Sequence, residues 1–165
     1  MKIVRFLSLV FIVFCLQACK NGAETLPELA GEIFEALQSN NRKDLLKTAP
    51  SPAEYEEAYM FFYANKYPDK SELKKEATDK AVSMRLNLSA NFNELMKTAL
   101  EEKNLDWKNT KIRDLKYNVK DRKEGYQEAK MRMILETGVE KNVVLFDAIR
   151  HEKRWYLVEN LRWEE

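Results

Sequence analysis

The spacing of apolar residues changes once along this chain, and that change constrains the fold more than any other feature of the sequence. From Leu73 to Ala99 the apolar residues recur every three or four positions, which is the period of one face of an α-helix. From Ile112 onward they alternate with polar residues, as in strands that have one face in water. Helices followed by an antiparallel meander predict an α+β fold, with N-terminal helices packed on an antiparallel sheet.

Two shorter helices are predicted before the long one. Thr25-Leu-Pro-Glu28 has the pattern of a capping box, and Ser51-Pro52-Ala53-Glu54 repeats it with proline at the first helical position. Behind the second box comes a stripe of aromatic residues, made up of Tyr55, Tyr59, Phe62, Tyr63 and Tyr67. Such a stripe either packs in a core or lines a ligand pocket, and we interpret it first as core packing.

The long helix is predicted over residues 71–103. Its apolar face consists of Leu73, Ala77, Ala81, Met84, Leu88, Phe92, Leu95 and Ala99. Alanine and phenylalanine on this face favour packing against a sheet over a coiled coil. Ser89-Ala90-Asn91 is a position at which the helix is predicted to bend or break.

Four strands are predicted in the second half. Residues 112–121 and 128–136 alternate, whereas residues 143–149 are apolar on both sides, as expected of a more central strand. His151-Glu-Lys-Arg154 then makes a tight hairpin into the last strand, residues 155–163.

The first residues of the chain read as a targeting segment. Lys2 and Arg5 precede about eleven apolar residues, too few for a membrane-spanning helix of about twenty. The segment ends in Leu16-Gln17-Ala18-Cys19, which resembles the lipobox of bacterial lipoproteins. The resemblance implies that the Cys19 thiol is alkylated with a diacylglyceryl group and becomes the first residue after cleavage. The alternative is a free, buried cysteine in an ordinary helix.

This interpretation divides the chain into a signal peptide (1–18), a short tether (19–24) and a single α+β domain (25–165). Lys20 is not the aspartate that retains enteric lipoproteins at the inner membrane, so the analogy predicts the outer membrane, facing the periplasm, over surface display. The expected membrane contact is the lipid on Cys19.

The end of the chain also carries a resemblance. Helices that lead into a meander ending in Arg154-Trp-Tyr-Leu-Val-Glu-Asn-Leu161 look like the nuclear transport factor 2-like, or cystatin-like, superfamily. The segment Ile33-Phe-Glu-Ala-Leu-Gln-Ser-Asn-Asn41 resembles the first helix of that family. The resemblance implies a curved sheet wrapped on helices as a cone-shaped half-barrel, with a cavity that some members use for ligands or catalysis.

Composition excludes several classes of function. The chain carries 28 Lys and Arg against 27 Asp and Glu, which argues against a nucleic-acid binder because such a protein would show a basic stripe. It has one histidine, His151, and no His-Glu-x-x-His, phosphate-binding glycine loop or Gly-x-Ser-x-Gly motif. We therefore expect no metal and no cofactor.

Asp147 and Glu159 are the candidate catalytic residues, because each interrupts an apolar strand. A hairpin loop of two or four residues would place them on opposite faces, and a loop of three would pair them and raise the pKa of one carboxyl. Members of the superfamily that isomerise ketosteroids use a cavity aspartate as a base. The simpler interpretation is that both carboxylates reach the wet face or pair with a neighbouring arginine.

We therefore expect a lipid-anchored envelope protein that acts as a non-catalytic binding or accessory module. Its ligand would be a small hydrophobic molecule, a lipid or an envelope protein, contacted by Tyr59, Phe62, Tyr63 and Trp155. The alternatives are an isomerase or hydratase that uses a cavity carboxylate, and an immunity or inhibitor lipoprotein that caps another enzyme.

Overall fold

A computed structural model describes residues 21–122 and 126–165. Within these residues the helices are α1 (Leu26–Gln38), α2 (Arg42–Leu45), α3 (Pro52–Tyr63) and α4 (Lys70–Glu101), with a 3₁₀ turn at Ala64–Lys66. The strands are β1 (Thr110–Asp121), β2 (Gln127–Thr137), β3 (Glu140–His151) and β4 (Arg154–Trp163). They form one open antiparallel sheet in the order β1-β2-β3-β4, so the α+β prediction is confirmed. The predicted signal peptide and Cys19 lie outside the described residues.

The two predicted capping boxes form to different extents. At α3 the Ser51 hydroxyl accepts from the Glu54 N–H (3.3 Å) and the Glu54 carboxylate accepts from the Ser51 N–H (2.7 Å), as predicted. At α1 the Thr25 hydroxyl accepts from the Glu28 N–H, but the Glu28 carboxylate accepts from the N–H of Glu24, one residue earlier. Both helices therefore begin where the sequence predicts.

Helix α4 is continuous over 32 residues, so of the bend or break predicted at Ser89-Ala90-Asn91 the break does not occur. The predicted apolar face is confirmed, since all eight of its residues are buried. Its C-terminal half, from Met84 to Ala99, lies in the largest cluster of buried side chains, which we call the main core. Leu73, Ala77 and Ala81 are also buried but lie outside that cluster. Helix α4 also packs against α3, with Tyr59 of α3 close to Glu76 in the N-terminal half of α4.

The main core lies on one face of the sheet, which we call the inner face. Helix α1 and the C-terminal half of α4 cover it. Its largest completely buried side chains include Leu29, Ile33, Leu88, Leu95, Met131, Met133, Phe146 and Leu157. The predicted central strand is confirmed as β3, which lies between β2 and β4.

Strand β1 departs from the burial that its alternation predicts. Tyr117 pairs with Met131 and Val119 pairs with Ala129, so both belong to the inner face. They nevertheless remain 51% and 38% exposed. The reason is that α1 and α4 contact β4, at the other edge of the sheet, and leave the end of β1 uncovered.

The free edge of β4 is closed by the beginning of the described chain. Ala23 exchanges two backbone hydrogen bonds with Trp155 (2.9 and 2.7 Å), and the Thr48 carbonyl accepts from the Leu157 N–H. Gly22 has a φ of +73°, and a Cβ there would lie 2.7 Å from the Trp155 carbonyl oxygen. Because Ala23 is completely buried, part of the segment predicted to be a tether belongs to the fold.

Candidate functional site

A groove runs between α4 and β4, and it is the candidate binding site. It consists of two cavities of about 520 and 380 Å³ that meet at Asn91 and Asn160. We call it the α4–β4 groove. Its lining includes Tyr55, Lys80, Ser83, Asn87, Thr98, Lys103, Val158, Glu159 and Trp163.

An irregular register of β4 shapes the floor of the groove. The β3–β4 turn has two residues, Glu152 and Lys153, both with positive φ, as in hairpin turns that match the twist of the strands. A regular ladder would then pair Asp147 with Val158. Register shifts on both sides of Asp147 instead bring Glu159 opposite it, and Asn160 adopts a φ of +58°. The two candidate carboxylates are thus neighbours because of a bulge, and not because of a three-residue loop.

The surroundings of these carboxylates favour hydrogen bonding over proton transfer. Asp147 is half-buried and accepts a hydrogen bond from the Asn160 amide (2.6 Å), and Glu159 is exposed beside the smaller cavity. A general base works best in a partly dry pocket, with its pKa moved towards the working pH. Neither carboxylate is enclosed in this way. Glu159, which lines the smaller cavity, therefore offers an acceptor to a ligand at the rim of the groove, whereas Asp147 lies beneath it and is held by Asn160.

Amide and aromatic side chains provide the other contacts. Within the described chain the side chains of Asn87 and Asn91 have no hydrogen-bond partner, so their donors and acceptors are available to a ligand. The Trp163 indole donates to the Leu95 carbonyl (3.0 Å), which fixes the ring, and the Lys103 ammonium lies 5.3 Å from its centre. Burial, and then the charge of Glu159, raise the pKa of Tyr55, so its phenol stays neutral.

The four predicted ligand contacts do not come together in this groove. Trp155 is buried in the main core, with the Arg150 guanidinium 6.0 Å from its ring. Tyr59 and Tyr63 lie along α3 with ring centres 4.4 Å apart. Burial and a hydrogen bond with Tyr67 raise the pKa of Tyr59 to about 12.

The interpretation of the α3 stripe as core packing holds for Tyr55, which packs partly buried against the main core, but not for the rest of the stripe, since Ala58 is the single residue of this fully described helix that is buried. The physical reason is that α3 packs mainly against one helix, α4. The row of aromatic rings is wider than the surface that one neighbouring helix can cover. Most of the rings therefore stay partly exposed at the edge of the contact between α3 and α4.

Phe62 belongs to a different cluster, at the end of the sheet that carries the β1–β2 and β3–β4 turns. Its ring lies 4.5 Å from that of Tyr126, Phe61 lies 5.2 Å from Tyr126, and Tyr126 stacks on His151 at 5.0 Å. We call these four residues the hairpin-end cluster. Sequence reasoning missed Phe61 and Tyr126. Adjacent aromatic residues in a helix point about 100° apart, so Phe61 beside Phe62 was the available signal.

A third cavity, of about 550 Å³, lies between α1 and α2 and is acidic. Glu32, Glu35 and Asp44 line it. Burial and the charges of Glu28 and Glu35 raise the pKa of Glu32, against the opposing effect of Arg154. In residues 21–122 and 126–165 no group of His, Cys, Asp and Glu is arranged to hold a metal ion.

Comparisons with protein-family models, with curated proteins and with solved structures find no match to this chain. Among the described helices none combines the length and the apolar character needed to span a bilayer.

Proposed function

We propose that this chain is a lipid-anchored module of the bacterial cell envelope that binds a ligand rich in hydroxyl and amide groups in the α4–β4 groove, without transforming it. The proposal rests on the lining of the α4–β4 groove. This lining combines two unpaired asparagine amides, Asn87 and Asn91, with the aromatic rings of Tyr55 and Trp163 and the carboxylate of Glu159. Saccharide and peptide segments match such a lining, because each needs alternating apolar and hydrogen-bonding contacts.

The order of features in the N-terminal sequence supports the lipid anchor. A basic start, a short apolar core and Leu16-Gln17-Ala18-Cys19 follow one another. Two acyl chains supply enough apolar burial for stable anchoring, at about 0.8 kcal/mol per methylene. We expect Cys19→Ala to abolish labelling by radioactive fatty acid and to leave an unprocessed precursor. Normal processing of this variant would rule out the anchor.

The finer description of the fold and the location are part of the same proposal. Helix α1 on the inner face and a bulged antiparallel meander are consistent with a cone-shaped half-barrel of the cystatin-like kind. Lys20 after the cysteine supports the outer membrane, facing the periplasm. Recovery of the lipidated protein in inner-membrane fractions would overturn this location.

Binding in the groove is tested by one substitution and a matched control. Asn91 borders both cavities, whereas Asn118 is exposed on β1, far from the groove along the sheet. Soluble fragments of envelope glycan and short peptides would be screened by chemical-shift perturbation. We expect a binding fragment to shift groove residues, and Asn91→Ala to weaken it about tenfold, the equivalent of about 1.4 kcal/mol. Asn118→Ala should bind as the wild type does. Equal affinity of all three proteins, or turnover of the fragment, would contradict the proposal.

A further inference from the structure

The first described residue is held at the β3–β4 turn. The Arg154 guanidinium donates to the Asn21 carbonyl (2.8 Å) and to the Gly22 carbonyl, and Ala23 pairs with Trp155. The chain therefore enters the fold at one defined end of the sheet.

The hairpin-end cluster lies at that same end and on the same face. Arg154 pairs with His151 across the two strands, and cross-strand partners project from one face of a sheet. The His151 ring stacks on Tyr126, which contacts Phe61 and Phe62. These two phenylalanines are 39% and 37% exposed. A continuous row of contacts thus joins the chain entry to a partly exposed aromatic surface.

The length of chain before Asn21 sets how far the anchor can lie from this surface. Cys19 precedes Asn21 by two residues, and two residues span at most about 7 Å. We propose that the hairpin-end cluster lies against the lipid bilayer, with Phe61 and Phe62 at the level of the head groups. This orientation rests on the proposed lipid anchor at Cys19. Phenylalanine on an apolar surface inserts at the boundary between the head groups and the acyl chains.

The charges around the cluster indicate how the contact works. Lys66 and Lys153 are exposed at this end, and so are Glu57 and Glu152. The two glutamates lie near Tyr126, since after burial their charges raise its pKa. Arg122 is also exposed here but pairs with Glu128, so the described residues at this end present no polybasic surface for anionic lipids. The aromatic side chains carry the contact, which should not depend on anionic lipid or on salt.

The same orientation places the ligand groove away from the membrane. Trp163, in the larger cavity of the α4–β4 groove, pairs with Val144, near the β2–β3 turn at the opposite end of the sheet. Val139, which is 97% exposed in that turn, marks the end that would face the aqueous compartment.

Fluorescence quenching in vesicles tests the orientation. Cys15 leaves with the predicted signal peptide and the Cys19 thiol is acylated, so one introduced cysteine is the single site for a fluorescent label. The full-length precursor is processed in cells, and the lipidated protein is placed in phosphatidylcholine vesicles that contain nitroxide-labelled lipid. We expect a probe at Lys66→Cys to lose fluorescence, and a probe at Val139→Cys to keep it. Equal quenching at the two positions would overturn the proposal.

Substitutions in the hairpin-end cluster test whether its phenylalanine side chains make the membrane contact. With the probe at position 66, Phe61→Ser combined with Phe62→Ser should reduce the quenching, and Leu86→Ser should not. Leu86 is a suitable control because it is 65% exposed on α4. Adding anionic lipid or salt should leave the quenching unchanged. If the double variant is quenched as strongly as the parent, or if anionic lipid is required, the aromatic contact is refuted.

Mass spectrometry of the same sample separates the two proposals. A diacylglyceryl group on Cys19, together with equal quenching at the two positions, overturns the orientation and leaves the proposed anchor standing. An unmodified Cys19 overturns both. A probe at position 66 that is shielded from lipid and aqueous quenchers alike indicates contact with a protein, including a second copy of this chain, and overturns the membrane contact.

Discussion

The two halves of α4 have the same apolar spacing but different surroundings. The C-terminal half places Leu88, Phe92 and Leu95 in the main core, against the sheet. The N-terminal half buries Leu73 and two alanines against α3, which itself buries one alanine. Because stabilisation scales with the apolar area removed from water, the same pattern contributes much more in one half than in the other. The spacing of apolar residues alone therefore does not indicate how strongly packing stabilises a helix.

The largest expected effect comes from truncating the same helix face in each half. Phe92→Ala should lower the free energy of unfolding by about 3–5 kcal/mol, since it opens a cavity in the main core. Leu73→Ala should cost about 2 kcal/mol, the low end for leucine, because α3 can close over the space. Urea unfolding followed by circular dichroism measures both values. Equal losses would mean that the two halves form one cooperative core.

A second test concerns the closure of the β4 edge. Strand β4 packs beside the C-terminal half of α4, which is the half that lies in the main core. Gly22→Ala places a Cβ 2.7 Å from the Trp155 carbonyl oxygen at a positive φ, so we expect a loss of about 2 kcal/mol or more. Gly138→Ala is the control, because it has a similar φ of +60° but open space around it. It should cost only about 1 kcal/mol. If both variants lose equal stability in thermal unfolding, the close approach at Gly22 does not matter.

A smaller effect should appear at the connection between α3 and the sheet. The Glu54 carboxylate accepts from the Tyr156 hydroxyl (3.0 Å) as well as from Ser51. Burial tends to raise the pKa of Glu54, but these hydrogen bonds outweigh it and hold the pKa below 4.5. A carboxyl whose pKa is lowered by folding stabilises the fold above its unfolded pKa, and this contribution is lost as the pH falls through the folded value.

We therefore expect Glu54→Gln to be less stable than the wild type at pH 7, with the difference shrinking below pH 4.5. Glu57→Gln, on the exposed side of the same helix, is the control. Unfolding curves recorded from about pH 3 to about pH 7 measure the difference in stability between the variant and the wild type. A gap between wild type and Glu54→Gln that stays constant with pH would show that the charge is not involved.

The smallest effect is expected at the candidate catalytic residue. Asp147→Asn keeps an oxygen that can accept from Asn160 and removes a negative charge opposite Glu159. The free energy of unfolding should change by less than about 0.5 kcal/mol, towards higher stability. Neither form should turn over enolisable ketones or hydratable alkenes. Turnover by the wild type that is lost in Asp147→Asn would instead support the enzyme.

The sequence predicted those parts of the fold in which local pattern and burial agree. The helix face from Leu73 to Ala99 and the inner-face residues of β2 are examples, because each buries what its period selects. Tyr117 and the α3 stripe were not predictable, since their exposure depends on where other elements end. The opposition of Asp147 and Glu159 results from bulges in β4, and a bulge shifts register without leaving a distinct residue pattern.

The pairing of Ala23 with Trp155 has a consequence for the order of events on the proposed route of secretion. Trp155 follows Ala23 by most of the described chain, so the edge of β4 cannot close until β4 has been synthesised and, on the proposed route, exported. Until then Ala23 lacks its strand partner, although the Gly22 N–H can already donate to the Lys47 carbonyl. On the proposed route, lipid transfer and signal cleavage at Cys19 act on this early, still unpaired chain, and folding afterwards draws the anchor against the finished domain.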